Sequence, residues 1–349
     1  MNKKPISPVC WVPTVYFAMG LPFVALSMVS VLMFSDMEVS NAQIAFWTSL
    51  IMLPWTLKPL WSPFLEMFKT KKYFVVATEI ITGLAFALVA LSLPLPDFFR
   101  YAIALMGIIA LSGATHDIAG DGVYLTELTA TQQAKYIGWQ GAFYNIAKIV
   151  ASGGLVWLAG ALLVGFGGVD GATEAVRHEA TRHAWMTVML ILAAVMLLLG
   201  FYHMRMLPSG GAAASGAKSA RETWEQLVAV IKDFFLKKHI WYYIAFIILY
   251  RLAEGFVMKI VPLFLKAERS AGGLGLNEQQ IGLYYGTYGA AAFVLGSLLA
   301  GYYISHRGLR RTLFSLCCIF NLPFVAYTLL AMYQPESGLL IGSAIVLEY

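Results

Sequence analysis

Ten apolar segments follow one another along this chain of 349 residues. A helix that crosses a bilayer needs about 20 mostly apolar residues, because the hydrocarbon core is about 30 Å thick. Nine of the segments reach that length, and the last is the beginning of a tenth. They cover residues 11–34, 43–66, 73–93, 98–122, 136–165, 184–206, 240–265, 281–304, 311–333 and 338–349. This pattern predicts an all-α polytopic membrane protein.

The composition agrees with that class. Hydrophobic residues make up 59% of the chain and charged residues only 12%, whereas soluble domains carry about 25% charged residues. The net charge is +5, but the basic residues lie in short loops and form no stripe, so we expect no nucleic-acid partner. The three cysteines, two of them adjacent, form neither a disulfide framework nor a zinc spacing. The first apolar run is too long for a signal peptide and lacks a cleavage site.

The loop charges predict the orientation of the chain in the membrane. With the N-terminus inside, fifteen Lys and Arg residues fall in inside loops and five in outside loops. Lys and Arg favour the cytoplasmic side, so we expect a cytoplasmic N-terminus. Helix kinks are expected at Pro54, Pro59 and Pro63 in the second segment and at Gly20-Leu21-Pro22 in the first.

One long inside loop divides the chain. Residues 207–238 begin with a Gly-, Ala- and Ser-rich stretch that has the composition of a flexible linker. Apolar residues then recur at helical spacing, which predicts a surface helix against the membrane. These are Trp224, Leu227, Val228, Ile231, Phe234 and Phe235. We therefore predict a six-helix bundle over 1–206, a cytoplasmic linker over 207–238 and an incomplete second bundle over 239–349, typical of a 6+6 transporter.

Two carboxylates stand inside the fourth apolar segment. Asp117 and Asp121 are four residues apart, so a helix presents both on one face. Carboxylates at membrane depth are rare and usually have a task such as proton relay or substrate binding. We predict that Asp117 takes up a proton and that Asp121 closes an inner gate on Lys135 or on the loop after the second segment. His116 titrates near neutral pH and is an alternative proton carrier. The other interpretation is that both carboxylates only cap or pair structurally.

Cations lie in other apolar segments. Gln140, Tyr144 and Lys148 follow at four-residue steps, which predicts one polar face on the fifth segment and a substrate-binding wall. The opposite side of that helix carries small residues suited to close helix contact. Lys58, just before Pro59, is expected either to contact the substrate or to neutralise Asp117.

The seventh segment carries a group of three charges. Arg251 and Glu254 are three residues apart and can pair on one helix face. Protonation of Glu254 would then free Arg251 for an anionic substrate; the alternative is a static pair. Lys259 projects about 80° from Arg251 at 100° per residue, so it either shares that face or extends toward the outer surface.

Basic loops after the second and eighth segments resemble each other. The later one reads Gly301-YYI-Ser305-His306-Arg307-Gly308-Leu309-Arg310-Arg311. This pattern is similar to the loop motif of the major facilitator superfamily. Residues 17–24, 58–63, 114–123 and 250–257, and the terminal Glu348-Tyr349, resemble the bacterial AmpG-type muropeptide permeases and the related acetyl-CoA transporters. The resemblance implies gating-loop roles for Glu66, Ser305, Arg307, Arg310 and Arg311.

The resemblance also implies a mechanism and a location. Members of that family are proton-coupled importers, and the bacterial ones carry anhydro-muropeptides into the cytoplasm. The expected mechanism is alternating access between two helical bundles. We therefore expect a monomeric permease of a bacterial inner membrane, with protons as the coupling ion and no other cofactor. Its expected partners are the lipid bilayer and a small anionic substrate. Glu66 replaces the usual Asp, and Lys148 and Arg251 differ from the permease pattern, so another anion such as an acyl-CoA remains the alternative substrate.

Two further expectations concern enzyme activity and completeness. The run Gly113-ATH-Asp117-IAG-Asp121 fits part of a metal-binding motif of lipid-headgroup phosphotransferases, but only one further acid lies upstream. Two carboxylates beside Lys58 and Lys148 make a poor site for a divalent cation, so we expect no enzyme and no metal. The superfamily has twelve helices and this sequence ends inside the tenth, so we expect a fragment or an interrupted gene product.

Overall fold

The protein is described here by a computed structural model that covers residues 6–63, 65, 69–169, 171–211, 220–276, 280, 283–284 and 288–348. The chain forms helices joined by turns, and no strand occurs in these ranges, which confirms the all-α prediction. It divides into two compact units, Met1–Ala217 and Lys218–Tyr349. The division falls inside the predicted linker over 207–238.

The first unit is a helical bundle. Its helices are α1 (Pro8–Asp36), α2 (Asn41–Leu50), α3 (Leu53–Leu57), a 3₁₀ turn (Lys58–Leu60), α4 (Lys71–Ser92), α5 (Phe98–Glu127), α6 (Ala130–Gly165) and α7 (Glu174–Met206). One turn each of α1 and α6 is a π-helix, at Ala25–Val29 and at Val150–Leu155. The first of these follows Pro22, which lies inside α1.

The second unit contains α8 (Ala220–Leu236), α9 (Ile240–Lys266), a 3₁₀ turn (Arg269–Ala271), α10 (Gly289–Arg307), α11 (Leu309–Tyr333) and α12 (Gly338–Glu348). Its core joins α9, α11 and α12 through Val261, Leu265, Tyr327 and Ile341. The apolar side chains of α8 described by the structure, among them Trp224 and Phe235, are exposed.

Six helices in the described part of the chain are long and apolar enough to cross a membrane. They are Pro8–Asp36, Lys71–Ser92, Phe98–Glu127, Ala130–Gly165, Glu174–Met206 and Arg310–Tyr333. Ile240–Tyr250 and Gly338–Glu348 are shorter apolar helices. The predicted first, third to sixth and ninth segments therefore each correspond to a spanning helix.

The predicted second segment, 43–66, is wrong as a continuous helix. It is broken after Leu50, and a new helix begins at Leu53 with Pro54 in its first turn. Proline lacks an N–H and its ring collides with the carbonyl four residues earlier, so Pro54 cannot continue the preceding helix. The predicted eighth segment, 281–304, is described as a regular helix from Gly289.

Two of the long helices, α4 and α6, begin just after a threonine that caps the N-terminus. The side chain of Thr70 accepts a hydrogen bond from the backbone N–H of Tyr73 at 3.3 Å, which starts α4. Thr129 and Gln132 form a reciprocal capping box at the start of α6. Such caps satisfy backbone donors that have no partner within the helix.

The core of the first unit sits where α4 packs against α7 and α5, and where α1 packs against α6. Gly20 allows the close approach of α1 and α6, because a Cβ there would lie 2.7 Å from the Tyr144 carbonyl oxygen. At one end of the bundle the N–H of Gly210 donates to Glu127 at 2.7 Å. At the other end the Trp185 indole donates to Asp36 at 3.0 Å.

Candidate functional site

A short segment after the break in the second predicted span docks on α5. The ring of Trp55 lies against Gly113, where a Cβ would come within 2.8 Å of its Cζ2 atom. The indole N–H of Trp61 donates to the Thr115 hydroxyl at 3.2 Å. These contacts bring the 3₁₀ turn that carries Lys58 close to residue 117 of α5.

Lys58 and Asp117 form an ion pair in the first unit. The Lys58 ammonium donates to Asp117 Oδ2 at 2.9 Å. The Asp117 side chain is 9% exposed and the Lys58 side chain 29% exposed, so the acid is buried while its partner keeps some access. The second oxygen, Asp117 Oδ1, is buried and accepts no hydrogen bond from any described residue. One carboxylate oxygen is thus paired and the other is open to a proton or a new donor.

A second polar chain joins three helices beside this pair. The hydroxyl of Tyr16 on α1 donates to Asp121 Oδ1 on α5 at 2.8 Å. The side-chain amide of Gln140 on α6 donates to the Tyr16 oxygen at 2.6 Å. Asp121 therefore has Tyr16 as its partner, whereas the expected partner Lys135 lies over the Tyr136 ring at 5.4 Å. Tyr16 was not predicted, because an isolated tyrosine in an apolar run carries no signal of its own.

The remaining predicted residues of α6 lie further along the same helix. Tyr144 is half-buried and its ring lies 6.2 Å from that of Phe23. Lys148 is exposed and forms no ion pair with the described side chains. The polar stripe therefore runs from the buried Gln140 contact to an exposed cation two turns away.

Several predicted residues fall outside what the structure describes. The backbone of α9 includes Arg251, Glu254 and Lys259, but their side chains lie outside the described residues, as does Glu66. Of the predicted gating loop, Arg307 lies over the Tyr303 ring at 5.5 Å. Gly308 separates α10 from α11 with a φ of +78°, a conformation that favours glycine.

Ser305, Arg310 and Arg311 lie around the same turn. The Ser305 hydroxyl donates to the Tyr302 carbonyl at 2.7 Å. Arg310 and Arg311 are both exposed in the first turn of α11. Within the described residues the loop therefore presents its cations outward.

A second acidic cluster was missed by the sequence interpretation. Glu79 on α4 is 0% exposed and contacts two histidines, His116 at 3.0 Å and His203 at 2.7 Å. A glutamate in an otherwise apolar segment was the available signal, by the same reasoning that singled out Asp117. Only the packing of α4 between α5 and α7 brings the two imidazoles to it.

In the described part of the chain, no group of three or more His, Cys, Asp or Glu side chains is arranged to hold a metal ion. Glu79, His116 and His203 are bonded to one another instead. The site therefore combines the Asp117 carboxylate and the Lys58 ammonium, which can separate, with the proton-binding side chains of Asp121 on α5 and Glu79 on α4.

Comparisons with known proteins show which family this chain belongs to. Residues 14–347 match the model of the Major Facilitator Superfamily. The anhydromuropeptide permease of Escherichia coli (strain K12) is 26% identical over 306 residues, which are 85% of this chain and 55% of that protein. The permease of Escherichia coli O157:H7 matches to the same extent. The chain thus spans about half the length of the curated relatives that it matches.

The match over 14–347 covers nearly the whole sequence and, with the apolar helices, identifies an integral membrane protein of the transporter class rather than an enzyme. The chain belongs to the Major Facilitator Superfamily.

Proposed function

We propose that this protein is a proton-coupled secondary transporter that imports a small anionic solute by alternating access, with a cell-wall-derived anhydro-muropeptide as the substrate. The observation that carries the proposal is the Lys58–Asp117 pair, in which one carboxylate oxygen has no partner among the described residues. The similarity to two anhydromuropeptide permeases supports the choice of substrate.

The coupling step is an exchange of partners at Lys58. At an effective dielectric constant near 20, two charges about 4 Å apart attract each other by about 4 kcal/mol. Protonation of Asp117 removes that attraction and leaves the Lys58 ammonium, which is 29% exposed, without a counter-charge. A carboxylate of the substrate then takes the place of Asp117. Proton binding and anion binding therefore favour each other.

Other side chains of α6 and α9 complete the proposed substrate contacts. Gln140, which donates to the Tyr16 hydroxyl, and Tyr144 are the proposed hydrogen-bonding groups, and Lys148 offers an exposed cation to a second acidic group of the substrate. In α9, Arg251 and Lys259 are the proposed anion ligands and Glu254 a further proton acceptor. The Tyr16 hydroxyl donates to Asp121, and protonation of Asp121 would weaken that bond because a neutral carboxyl group is a poorer acceptor than a carboxylate.

The proposal extends to location and assembly. The excess of Lys and Arg in one set of loops supports a cytoplasmic N-terminus in a bacterial inner membrane. Glu66, Ser305, Arg307, Arg310 and Arg311 are the proposed gating-loop residues at the cytoplasmic face. The transporter acts as a monomer and uses protons, with no other cofactor.

The test is uptake of a labelled anhydro-muropeptide into membrane vesicles that contain the protein. Uptake should exceed that of vesicles without the protein and should collapse when a protonophore is added. Uptake that survives the protonophore would contradict proton coupling. No uptake by inserted, folded protein would contradict the substrate, and competition by a series of other anions, beginning with an acyl-CoA, would then identify the class transported.

A further inference from the structure

The Glu79 cluster joins four helices of the first unit. Thr14 comes from α1, Glu79 from α4, His116 from α5 and His203 from α7. Glu79 and His203 are 0% exposed and His116 is 2% exposed. Three titratable side chains with so little access to water are rare in a helical bundle, because a buried charge must be paired or neutralised.

The hydrogen bonds of His203 fix where its protons are. Its Nδ1 atom lies 2.7 Å and 2.9 Å from the two oxygens of Glu79, so Nδ1 carries a hydrogen and donates it. Its Nε2 atom lies 2.8 Å from the Thr14 hydroxyl oxygen. Whether Nε2 also carries a hydrogen depends on the orientation of that hydroxyl.

The Thr14 hydroxyl has a single hydrogen and three acceptors within reach. Besides His203 Nε2, these are the Trp11 carbonyl oxygen at 3.1 Å and the Cys10 carbonyl oxygen at 3.5 Å. When the hydroxyl donates to Trp11, its oxygen accepts from His203 Nε2, and His203 is a cation. When the hydroxyl donates to Nε2, His203 is neutral. Both protonation states of His203 are therefore fully hydrogen-bonded, and a change between them needs only a hydroxyl rotation.

His116 does not have this freedom. Its Nε2 atom lies 3.0 Å from Glu79 and is the donor of that contact. Its Nδ1 atom is buried and has no hydrogen-bond partner among the described residues. A second hydrogen on Nδ1 would be buried without an acceptor, which is unfavourable. His116 is therefore the neutral ring and His203 is the ring that can accept the proton.

The charges around the cluster favour one bound proton. A Glu79 carboxylate with two neutral imidazoles leaves one uncompensated negative charge in a dry site, whereas protonation of His203 makes the cluster neutral. Asp117 and Asp121, on α5, interact electrostatically with His116. Their own hydrogen bonds go to Lys58 and Tyr16 rather than to His203.

We propose that Glu79, His203 and Thr14 form an exchangeable proton-binding site, separate from the Lys58–Asp117 pair, with His203 as the proton carrier. In the transport cycle this site carries a coupling proton in addition to the one taken up by Asp117. That second statement rests on the proposed proton-driven transport, whereas the proton-binding site itself does not. His116 is a positioning residue that holds Glu79 toward His203.

The first experiment measures protonation in the purified protein without any transport. The chain has six histidines, and their imidazole ¹⁵N resonances distinguish neutral from cationic rings across a pH series. His203, assigned by its loss in His203→Gln, should give a cationic ring in part of the series. Thr14→Val, which removes the hydroxyl, should change the pH range over which that ring is cationic, and Thr14→Ser, which keeps it, should not.

Either of two results would overturn the site. One is a His203 ring that is neutral throughout the series. The other is an equal titration in Thr14→Val and Thr14→Ser, which would show that the hydroxyl has no role in proton binding. Tyr202→Phe, which removes a hydroxyl that donates to the Cys10 carbonyl at 2.6 Å, is the control for a general effect on the α1–α7 contact.

The second experiment counts protons per substrate in vesicles with a pH indicator. Glu79→Gln should lower the ratio by one proton. An unchanged ratio in Glu79→Gln, with driven uptake in the unaltered protein, would contradict the coupling role. If the unaltered protein shows no driven uptake, the proposed function fails while the resonance measurement still decides the site.

Discussion

Two acidic sites depend on neighbouring residues of α5, and they differ in how completely their hydrogen bonds are used. Asp117 has one partner, Lys58, and one oxygen without a partner among the described residues. Glu79 is bonded to His116 and His203, and both of its oxygens lie within 2.9 Å of a ring nitrogen of His203. Residues 116 and 117 project about 100° apart on a helix, so they serve different faces.

The difference shows that one helical bundle can contain both an enclosed cluster that stabilises the core and an accessible ion pair that can exchange partners. The Glu79 cluster is enclosed by four helices, so its groups must stabilise one another within the packed core. Lys58 belongs to a short turn behind a helix break and keeps access to its surroundings. A pair with one accessible member can exchange that member's partner, whereas an enclosed cluster can exchange only a proton.

The largest expected effect is on folding and concerns the enclosed cluster. Glu79→Ala should lower the free energy of unfolding by about 3–5 kcal/mol, because it leaves two buried imidazoles without their acceptor. Thermal unfolding in detergent measures the loss. Glu174→Ala, at a side chain that is 88% exposed, is the control and should have almost no effect. An equally small loss in Glu79→Ala would remove the contrast between the two sites.

The next largest effect is on transport and concerns the Lys58–Asp117 pair. Asp117→Asn should remove one proton from driven accumulation and leave substrate exchange. One proton carried down a pH difference of about 1.7 units supplies about 2.3 kcal/mol, which corresponds to about 50-fold accumulation, and this is the contribution that the variant should lose. Steady-state accumulation in vesicles measures it. Asp97→Asn, at the exposed start of α5, is the control. Accumulation as high in Asp117→Asn as in the unaltered protein would mean that Asp117 carries no coupling proton.

A smaller effect concerns the contact between Trp55 and Gly113. Disturbing this contact should affect Lys58 and leave the Glu79 cluster unchanged. Gly113→Ala places a methyl group 2.8 Å from Trp55, so the segment that carries Lys58 must shift, at a cost of about 1–3 kcal/mol. The half-saturating substrate concentration should rise while the His203 resonance stays unchanged. Gly107→Ala on the same helix meets open space and should alter neither. If the two variants behave alike, the contact between Trp55 and α5 does not position Lys58.

The smallest effect concerns the exposed end of the polar stripe. Lys148→Ala should raise the half-saturating concentration of an anionic substrate about fivefold, which corresponds to about 1 kcal/mol for an exposed charge pair. Lys135→Ala removes another exposed cation of α6 and serves as the control. Equal uptake curves for Lys148→Ala and the unaltered protein would exclude Lys148 from the site.

Particular elements show which features were predictable from local sequence. The long apolar runs predicted the spanning helices of the first unit, because helix length in a bilayer follows from composition alone. The residues at Pro54 and Pro22 were recognised as sites of irregularity, since the effect of proline on a helix is local. The break after Leu50 is larger than a kink, because Pro54 begins a new helix there.

The candidate site was only half predictable. Asp117 and Lys58 stood out as charges in apolar segments. The sequence left open whether Lys58 contacts the substrate or neutralises Asp117. The choice of Asp117 depends on Trp55 packing against Gly113, a contact between residues 58 positions apart. For Arg251, Glu254 and Lys259 the helix was predicted, but their side chains lie outside the described residues.

The sequence by itself determined an all-helical membrane protein with charges in its spans, because hydrophobicity and helical periodicity are properties of adjacent residues. Tertiary structure alone decided which of those charges meet. His203 lies 124 positions from Glu79, and Tyr16 lies 105 positions from Asp121. No local pattern encodes such pairs; they arise when α4 packs between α5 and α7 and when α1 packs against α5.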